Sequence, residues 1–136
     1  MFRYRKSTKQ RENHHDERCP FCHPPAHNIV SQTEFSSVLK NTFPYDLWEF
    51  RNVTEHYMIV PKRHVKSLSD LTPEEQTDIM KVLAEYEGRN FDIYARSSSS
   101  VQRTVPLHQH THLIKTDTTH AKAALYLKKP YFVAKV

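Results

Sequence analysis

Three histidines alternate with polar residues in the segment His108-Gln109-His110-Thr111-His112. Successive side chains of a strand point to opposite faces, so in a strand the three imidazoles would project from one side. Neutral imidazole is a common metal ligand, and histidine titrates near neutral pH, where it acts as a nucleophile, acid or base. The segment therefore predicts a metal site or a catalytic centre; the alternative without chemistry is an exposed polar strand.

Two cysteines, Cys19 and Cys22, have the spacing CxxC. Two cysteines are too few for a disulfide scaffold, and in a reducing compartment such a pair is typical of a metal half-site or a redox pair. Zinc favours four nitrogen or sulfur ligands, and the chain has no other cysteine, so histidines must complete a zinc site. His64, which follows a buried-looking strand, is a candidate. Two reduced thiols without a metal are the simpler alternative.

The elements that must position these residues are mostly strands. Five segments have the aromatic and β-branched composition of strands: 33–39, 46–53, 56–60, 91–95 and 107–115. The C-terminal residues 131–136 are predicted to add an edge strand or a dimer contact. Short turns between sequential strands favour an antiparallel sheet, and together with one helix they predict the α+β class.

One helix is predicted from residues that are typical of helix starts and ends. Thr72 is predicted to be the N-cap, Pro73 suits the first helical position, and Glu75 completes a capping box. Gly88 is predicted to supply the left-handed residue that stops the helix. Apolar residues fall at helical spacing and predict one buried face: Ile79, Val82, Leu83 and Tyr86.

Composition and charge narrow the class of protein. The chain has 136 residues and a net charge of +5, and residues 1–18 hold six basic and three acidic side chains. We expect a disordered basic tail over 1–18 and one domain over 19–136. No apolar run is long enough to cross a membrane, and no secretory signal is evident, so we expect a cytoplasmic protein. Nucleic acid is not an expected partner except through the tail.

Residues 56–72 (HYMIVPKRHVKSLSDLT), the helix that follows, and VPLHQHTHLI resemble the histidine-triad (HIT) superfamily of nucleotide-binding proteins. The similarity, including the CxxC pair, covers most of residues 19–115. It implies an α+β fold with a roughly five-stranded antiparallel sheet and one main helix. It also implies a homodimer in which two subunits pair their sheets into one.

The resemblance also implies catalytic roles. His110 matches the histidine that attacks the α-phosphate of a nucleotide ester, anhydride or phosphoramidate and forms a nucleotidyl-histidine intermediate. His112 matches a residue that contacts the phosphate oxygens, and His56 matches a further histidine beside the phosphate. Lys62 and Arg63 are expected to help draw in an anionic substrate.

Zinc-containing members of the family imply a structural zinc ion in this chain. The four matching positions are Cys19, Cys22, His64 and His108. This sequence departs from the family in the loop 96–104, which has four serines and no glycine where the family holds phosphate. Thr104 and Gln102 are the candidates for that contact. Gln109 and Thr111 are polar where the family is apolar.

The sequence therefore predicts a nucleotide hydrolase or nucleotidyltransferase of the HIT type, similar to nucleotide phosphoramidases and dinucleoside polyphosphate hydrolases. One alternative is a non-catalytic, zinc-stabilised module that binds nucleotides or nucleic acid. A thiol redox protein is a third interpretation. It is disfavoured because Pro24 and Pro25 follow the CxxC pair, where redox pairs begin a helix.

Overall fold

The computed structural model describes residues 3–5, 19–120, 123–125 and 132–134, with side chains described over 19–117. It contains one α-helix, α1 (Pro73–Gly88), and two short 3-10 helices, Ala26–Asn28 and Leu68–Asp70. Nine strands are described: β1 (Arg3–Arg5), β2 (Ile29–Gln32), β3 (Ser36–Lys40), β4 (Tyr45–Trp48), β5 (Arg51–Pro61), β6 (Asp92–Tyr94), β7 (Thr111–His120), β8 (Ala123–Leu125) and β9 (Phe132–Ala134). None of the helices in these described ranges is both long and apolar enough to cross a membrane.

The long strand β5 organises the main sheet. Its C-terminal half pairs with β3 on one edge, and β7 pairs along its other edge. The order β2-β3-β5-β7-β6 gives five antiparallel strands, and β4 and β1 add two more beside the start of β5. This arrangement confirms the predicted α+β class with an antiparallel sheet and one main helix.

The segment 46–53, predicted to be one extended segment, contains the turn between β4 and β5. Glu49 and Phe50 have φ values of 51° and 63°, and Trp48 pairs with Arg51 across the turn. Two left-handed residues are the geometry of a two-residue hairpin, which usually carries asparagine or glycine. Because neither residue type is present at this turn, the sequence predicted a continuous strand.

Helix α1 begins as predicted. The Thr72 hydroxyl accepts from the Glu75 N–H, and the Glu75 carboxylate accepts from the Thr72 N–H. The predicted stop is wrong in detail, since Asn90 (φ 68°) rather than Gly88 adopts the left-handed conformation. The helix packs on one face of the sheet over a shared apolar core: Val38, Ile59, Val65, Leu71, Ile79, Tyr86, Phe91 and Leu113.

Both termini contribute strands. Within residues 1–18, predicted to be a disordered tail, Arg3–Arg5 pairs with β4, whose backbone offers an open sheet edge. The predicted C-terminal strand over 131–136 corresponds to Phe132–Ala134, which pairs with Ala123–Leu125 in a separate two-stranded sheet. The rest of the predicted tail lies outside the described residues, and the dimer contact at 131–136 stays a prediction.

Candidate metal centre and histidine site

Four side chains from three parts of the chain converge on one point. Cys19 and Cys22 precede the first 3-10 helix, His64 follows β5, and His108 precedes β7. Their ligand atoms all lie within 4.8 Å of one another. The Nδ1 atom of His108 lies 3.2 Å from Cys19 Sγ, 3.5 Å from Cys22 Sγ and 3.2 Å from His64 Nδ1. The four residues predicted to bind a metal are therefore positioned to do so.

The geometry of this cluster fits a tetrahedral ion. Zinc bonds of about 2.3 Å to sulfur and about 2.0 Å to nitrogen place tetrahedral ligand atoms roughly 3.3–3.8 Å apart. The fully buried His108 ring approaches the Pro61 carbonyl with Nε2 at 2.8 Å. Because a carbonyl can only accept, Nε2 carries the proton and the Nδ1 lone pair faces the other ligands. A set of two sulfurs and two imidazoles is typical of zinc.

Burial acts on the ionisation of these ligands. It lowers the pKa of His108, which keeps the imidazole neutral and able to coordinate. Burial, reinforced by the hydrogen bond and charge of Cys19, raises the pKa of the Cys22 thiol to about 11. Two adjacent thiolates therefore need a cation between them, and a bound metal ion supplies that charge.

The sequence predicted that the three histidines of the segment 108–112, called the triad, lie in one strand, and this prediction is wrong. Strand β7 begins at Thr111, so only His112 lies in a strand, while His108 and His110 precede it. The rings nevertheless remain adjacent. The Phe21 ring lies 5.7 Å from that of His108 and 5.1 Å from that of His110, and the His110 and His112 rings are 5.3 Å apart.

Backbone contacts fix the tautomer of His110. Its Nδ1 lies 2.9 Å from the carbonyl oxygen of His108, and the side chain is buried. A carbonyl oxygen accepts only, so Nδ1 donates and the Nε2 atom carries the lone pair. His110 therefore has the nucleophilic nitrogen at the tip of its ring.

A chain of hydrogen bonds assigns a proton to Nε2 of His112, where His110 has a lone pair. The Tyr45 N–H donates to His56 Nδ1 at 3.0 Å, so neutral His56 carries its proton on Nε2. With this tautomer His56 Nε2, which lies 2.9 Å from His112 Nδ1 and 3.2 Å from the Asn41 side-chain nitrogen, can donate to His112. That donation assigns the proton of neutral His112 to its Nε2. The neighbouring rings thus present a lone pair on His110 and a donor on His112.

Aromatic side chains surround this pair, and sequence reasoning did not identify them. The Tyr45 ring is stacked 5.8 Å from the His112 ring, and the Tyr94 ring lies 6.0 Å from it. Trp48 packs beside both tyrosines and donates to Asp92 Oδ2. The pairing of Tyr94 with His112 across β6 and β7 could have been inferred only with the strand register known.

The loop 96–104 contains hydrogen bonds and one buried arginine that the sequence did not predict. Gln102 and Thr104 are exposed, and Gln102 Oε1 accepts a 2.6 Å hydrogen bond from Arg96. Arg103, which the sequence did not indicate, is buried and donates to Gln109 Oε1 at 2.6 Å. This hydrogen bond attaches the loop to the triad segment, residues 108–112. The phosphate contacts of Gln102 and Thr104 stay predictions.

Arg63 forms an ion pair with Glu75, and its predicted part in attracting an anionic substrate stays a prediction. Its guanidinium donates to both carboxylate oxygens of Glu75, at 2.9 and 2.8 Å. The pair lowers the pKa of Glu75 to about 2, chiefly through the hydrogen bond from Arg63. Arg63 therefore joins the segment that carries His64 to the start of α1, and its charge is compensated.

Comparisons with known proteins identify the fold. No protein-family model matches the sequence, and no curated protein matches it. Solved structures do match. A HIT family hydrolase from Clostridium thermocellum has a TM-score of 0.56 and 22% identity, over 79% of this chain and 97% of that one.

Two further solved structures of the same fold also match the chain. A HIT family hydrolase from Legionella pneumophila has a TM-score of 0.51 and 17% identity, over 71% of this chain and 90% of that one. A histidine triad protein from Clostridium difficile has a TM-score of 0.50 and 22% identity, over 76% of this chain and 96% of that one. The chain therefore has the histidine-triad fold, and the resemblance drawn from its motifs is confirmed at that level.

Proposed function

We propose that this protein is a HIT-type nucleotide-binding enzyme, a hydrolase or nucleotidyltransferase that acts at the α-phosphate of a nucleotide ester, anhydride or phosphoramidate. The observation that carries the proposal is a pair of hydrogen bonds at two adjacent rings: His110 Nδ1 lies 2.9 Å from the His108 carbonyl oxygen, and His112 Nδ1 lies 2.9 Å from His56 Nε2. For neutral rings these contacts assign a lone pair to Nε2 of His110 and a proton to Nε2 of His112. A nucleophile beside a fixed donor suits attack on a phosphoryl group whose oxygens gain charge.

Each residue then has a defined task. His110 Nε2 forms a bond to the α-phosphorus, and the leaving group departs with the electron pair of its own bond to phosphorus. Water or an acceptor alcohol then displaces His110 and releases the nucleotide product. His112 donates to a phosphoryl oxygen in both steps, and His56 holds the proton of His112 on the required nitrogen.

Turnover of a nucleoside 5′-phosphoramidate and of a dinucleoside polyphosphate tests the proposal. We expect His110→Asn to abolish turnover and leave nucleotide binding largely intact, while His112→Asn slows both chemical steps. His27→Asn is a matched control, because His27 is exposed in the 3-10 helix Ala26–Asn28. Wild-type turnover in His110→Asn would contradict the proposal.

The alternative function is a zinc-stabilised module that binds nucleotides or nucleic acid without turnover. It is favoured by the loop 96–104, which lacks glycine and is held by side-chain contacts. Binding of nucleotides by the wild-type protein, with no turnover of either substrate, would make this alternative the better account.

We further propose that the four-residue cluster holds one structural Zn²⁺. Cys19, Cys22, His64 and His108 would fill all four positions, so no position would be left for an activated water. A bound zinc ion supplies positive charge and a cross-link between the CxxC segment, β5 and the triad segment. Two thiolate ligands also suit the reducing cytoplasm expected from the sequence.

Elemental analysis of protein purified without added metal tests this assignment. We expect about one zinc per chain, lost in the Cys19→Ser, Cys22→Ser double variant together with thermal stability. His23→Ala is the control, because His23 is exposed and adjacent to Cys22 but is not part of the cluster. Zinc that is absent from the wild type, or retained in the double variant, would refute the assignment.

A homodimer is proposed from the fold alone. Strand β6 is the last strand on its side of the main sheet, and its Ile93 side chain is 42% exposed. A second copy pairing there would continue the sheet and cover an open edge. Sedimentation equilibrium at micromolar concentration is expected to give twice the chain mass, and the chain mass alone would contradict the dimer.

A further inference from the structure

Arg96 lies beside the triad on the face that carries the histidines. It follows β6, whose Tyr94 pairs directly with His112 on β7. The guanidinium carbon lies 5.6 Å from the Tyr94 ring centroid, and the Tyr94 ring lies 6.0 Å from that of His112. The separation between guanidinium and imidazole is therefore at most the sum of these distances, about 12 Å.

The charge of Arg96 has no acidic partner within residues 19–117. The ion pairs described there join Arg63 to Glu75 and Arg89 to Glu85. Arg96 instead donates from Nη1 to the neutral amide of Gln102, at 2.6 Å. Its Nε is buried and has no hydrogen-bond partner among the described residues. The positive charge of the guanidinium is therefore not neutralised within this part of the chain, and an anionic ligand at its outer nitrogens would supply the missing charge.

The backbone of Arg96 is held in place by a hydrogen bond from the buried side chain of Arg103. Arg103 is 7% exposed, and its Nη2 donates to the Arg96 carbonyl oxygen at 3.1 Å and to Gln109 Oε1 at 2.6 Å. Since Gln109 lies between His108 and His110, the start of the loop is attached to the triad segment. Arg96 is therefore held by its backbone through Arg103 and by its guanidinium through Gln102.

We propose that Arg96 binds the anionic leaving group, the phosphoryl groups beyond the α-phosphate of a nucleoside polyphosphate. This inference rests on the proposed function and narrows its substrate class. A guanidinium binds phosphate oxygens through two parallel hydrogen bonds, and its distance from the triad suits a short polyphosphate chain extending from the α-phosphate. A neutral amine, the leaving group of a phosphoramidate, offers Arg96 nothing to bind. Arg96 is thus a residue that determines specificity.

Calorimetric titration of the His110→Asn variant with mono- and triphosphates of adenosine and guanosine, without added Mg²⁺, tests the inference. We expect the preferred triphosphate to bind at least about tenfold more tightly than its monophosphate. Adding Arg96→Gln should reduce this ratio to within about twofold while the monophosphate affinity is unchanged, and Arg96→Lys should restore part of it. Arg89→Gln removes the same charge from the exposed helix end and should leave the ratio unchanged.

Two results would overturn the inference, and a third separates it from the proposed function. A triphosphate preference that survives Arg96→Gln shows that another group binds these phosphates. An equal loss of monophosphate and triphosphate affinity shows that Arg96 supports the loop rather than the leaving group. If no nucleotide binds, the proposed function fails, and inorganic tripolyphosphate then decides for Arg96. Binding of tripolyphosphate that Arg96→Gln weakens would keep the anion site, and binding that is absent or unchanged would reject it.

Discussion

Replacing Glu75 by glutamine removes one charge from the contact that joins the His64 segment to helix α1. Glu75 is almost fully buried, accepts two hydrogen bonds from Arg63 and caps the helix through the Thr72 N–H. Glutamine keeps an acceptor for the cap but loses the charge. The variant therefore removes the charge and one of the two hydrogen bonds from Arg63 while it leaves the cap in place.

The pKa of Glu75 gives the size of the expected loss in the free energy of unfolding. A value of about 2, against an ordinary 4.5, corresponds to at most roughly 3.5 kcal/mol at about 1.4 kcal/mol per pH unit. The Arg63 side chain is 51% exposed, so solvent screening reduces the expected loss in unfolding free energy to about 1–2 kcal/mol at pH 7.

The loss should depend on pH. Because the folded-state pKa lies below the unfolded-state value, this stabilisation is complete above about pH 5 and disappears as the pH falls towards 2. Urea denaturation of wild type and Glu75→Gln at several pH values measures the difference, and effects shared by both proteins cancel. Glu74→Gln, at an exposed position in the same helical turn, is the matched control. A difference that does not shrink between pH 6 and 3 would refute the electrostatic reasoning.

Two further substitutions test the fold. Gly88→Ala should stabilise the protein by about 0.5–1 kcal/mol in urea denaturation, because its φ is not positive, alanine favours the helix, and a Cβ would meet no atom within 4 Å. A destabilised Gly88→Ala would restore the left-handed stop predicted from the sequence. Arg103→Met should cost about 2–4 kcal/mol, because it leaves the Lys66 and Arg96 carbonyls and the Gln109 amide oxygen without a donor. An effect no larger than that of Lys81→Met, at an exposed helix position, would show that water replaces Arg103 without loss.

Features that depend on neighbouring residues were predictable from the sequence. The capping box of Thr72 and Glu75 lies within four residues and formed as predicted. The cluster of Cys19, Cys22 and two histidines was also predicted, although it joins residues 89 positions apart. Geometry alone could not have given that set, and the resemblance to a family supplied it.

Features that depend on tertiary contacts were not predictable. Strand β7 begins at Thr111, which pairs with Ile59, although β5 continues to Pro61. Before Thr111 the His108 ring contacts the Pro61 carbonyl and the Gln109 N–H donates to the Val65 carbonyl, so tertiary contacts and not the histidine pattern set the start of the strand. The buried position of Arg103 depends on carbonyl groups from distant segments, including that of Lys66. A charged residue in a polar loop is normally exposed, so nothing in the local sequence indicates its burial.

The central claim is that His110 becomes covalently linked to a nucleotide during turnover. Rapid quenching of the wild-type protein with a nucleoside phosphoramidate or polyphosphate, followed by intact-mass spectrometry and peptide mapping, measures this directly. The account predicts one nucleoside monophosphoryl group per chain, located on His110, absent from His110→Asn and persisting longer in His112→Asn. Turnover without a covalent adduct, or an adduct located on a residue other than His110, would contradict it.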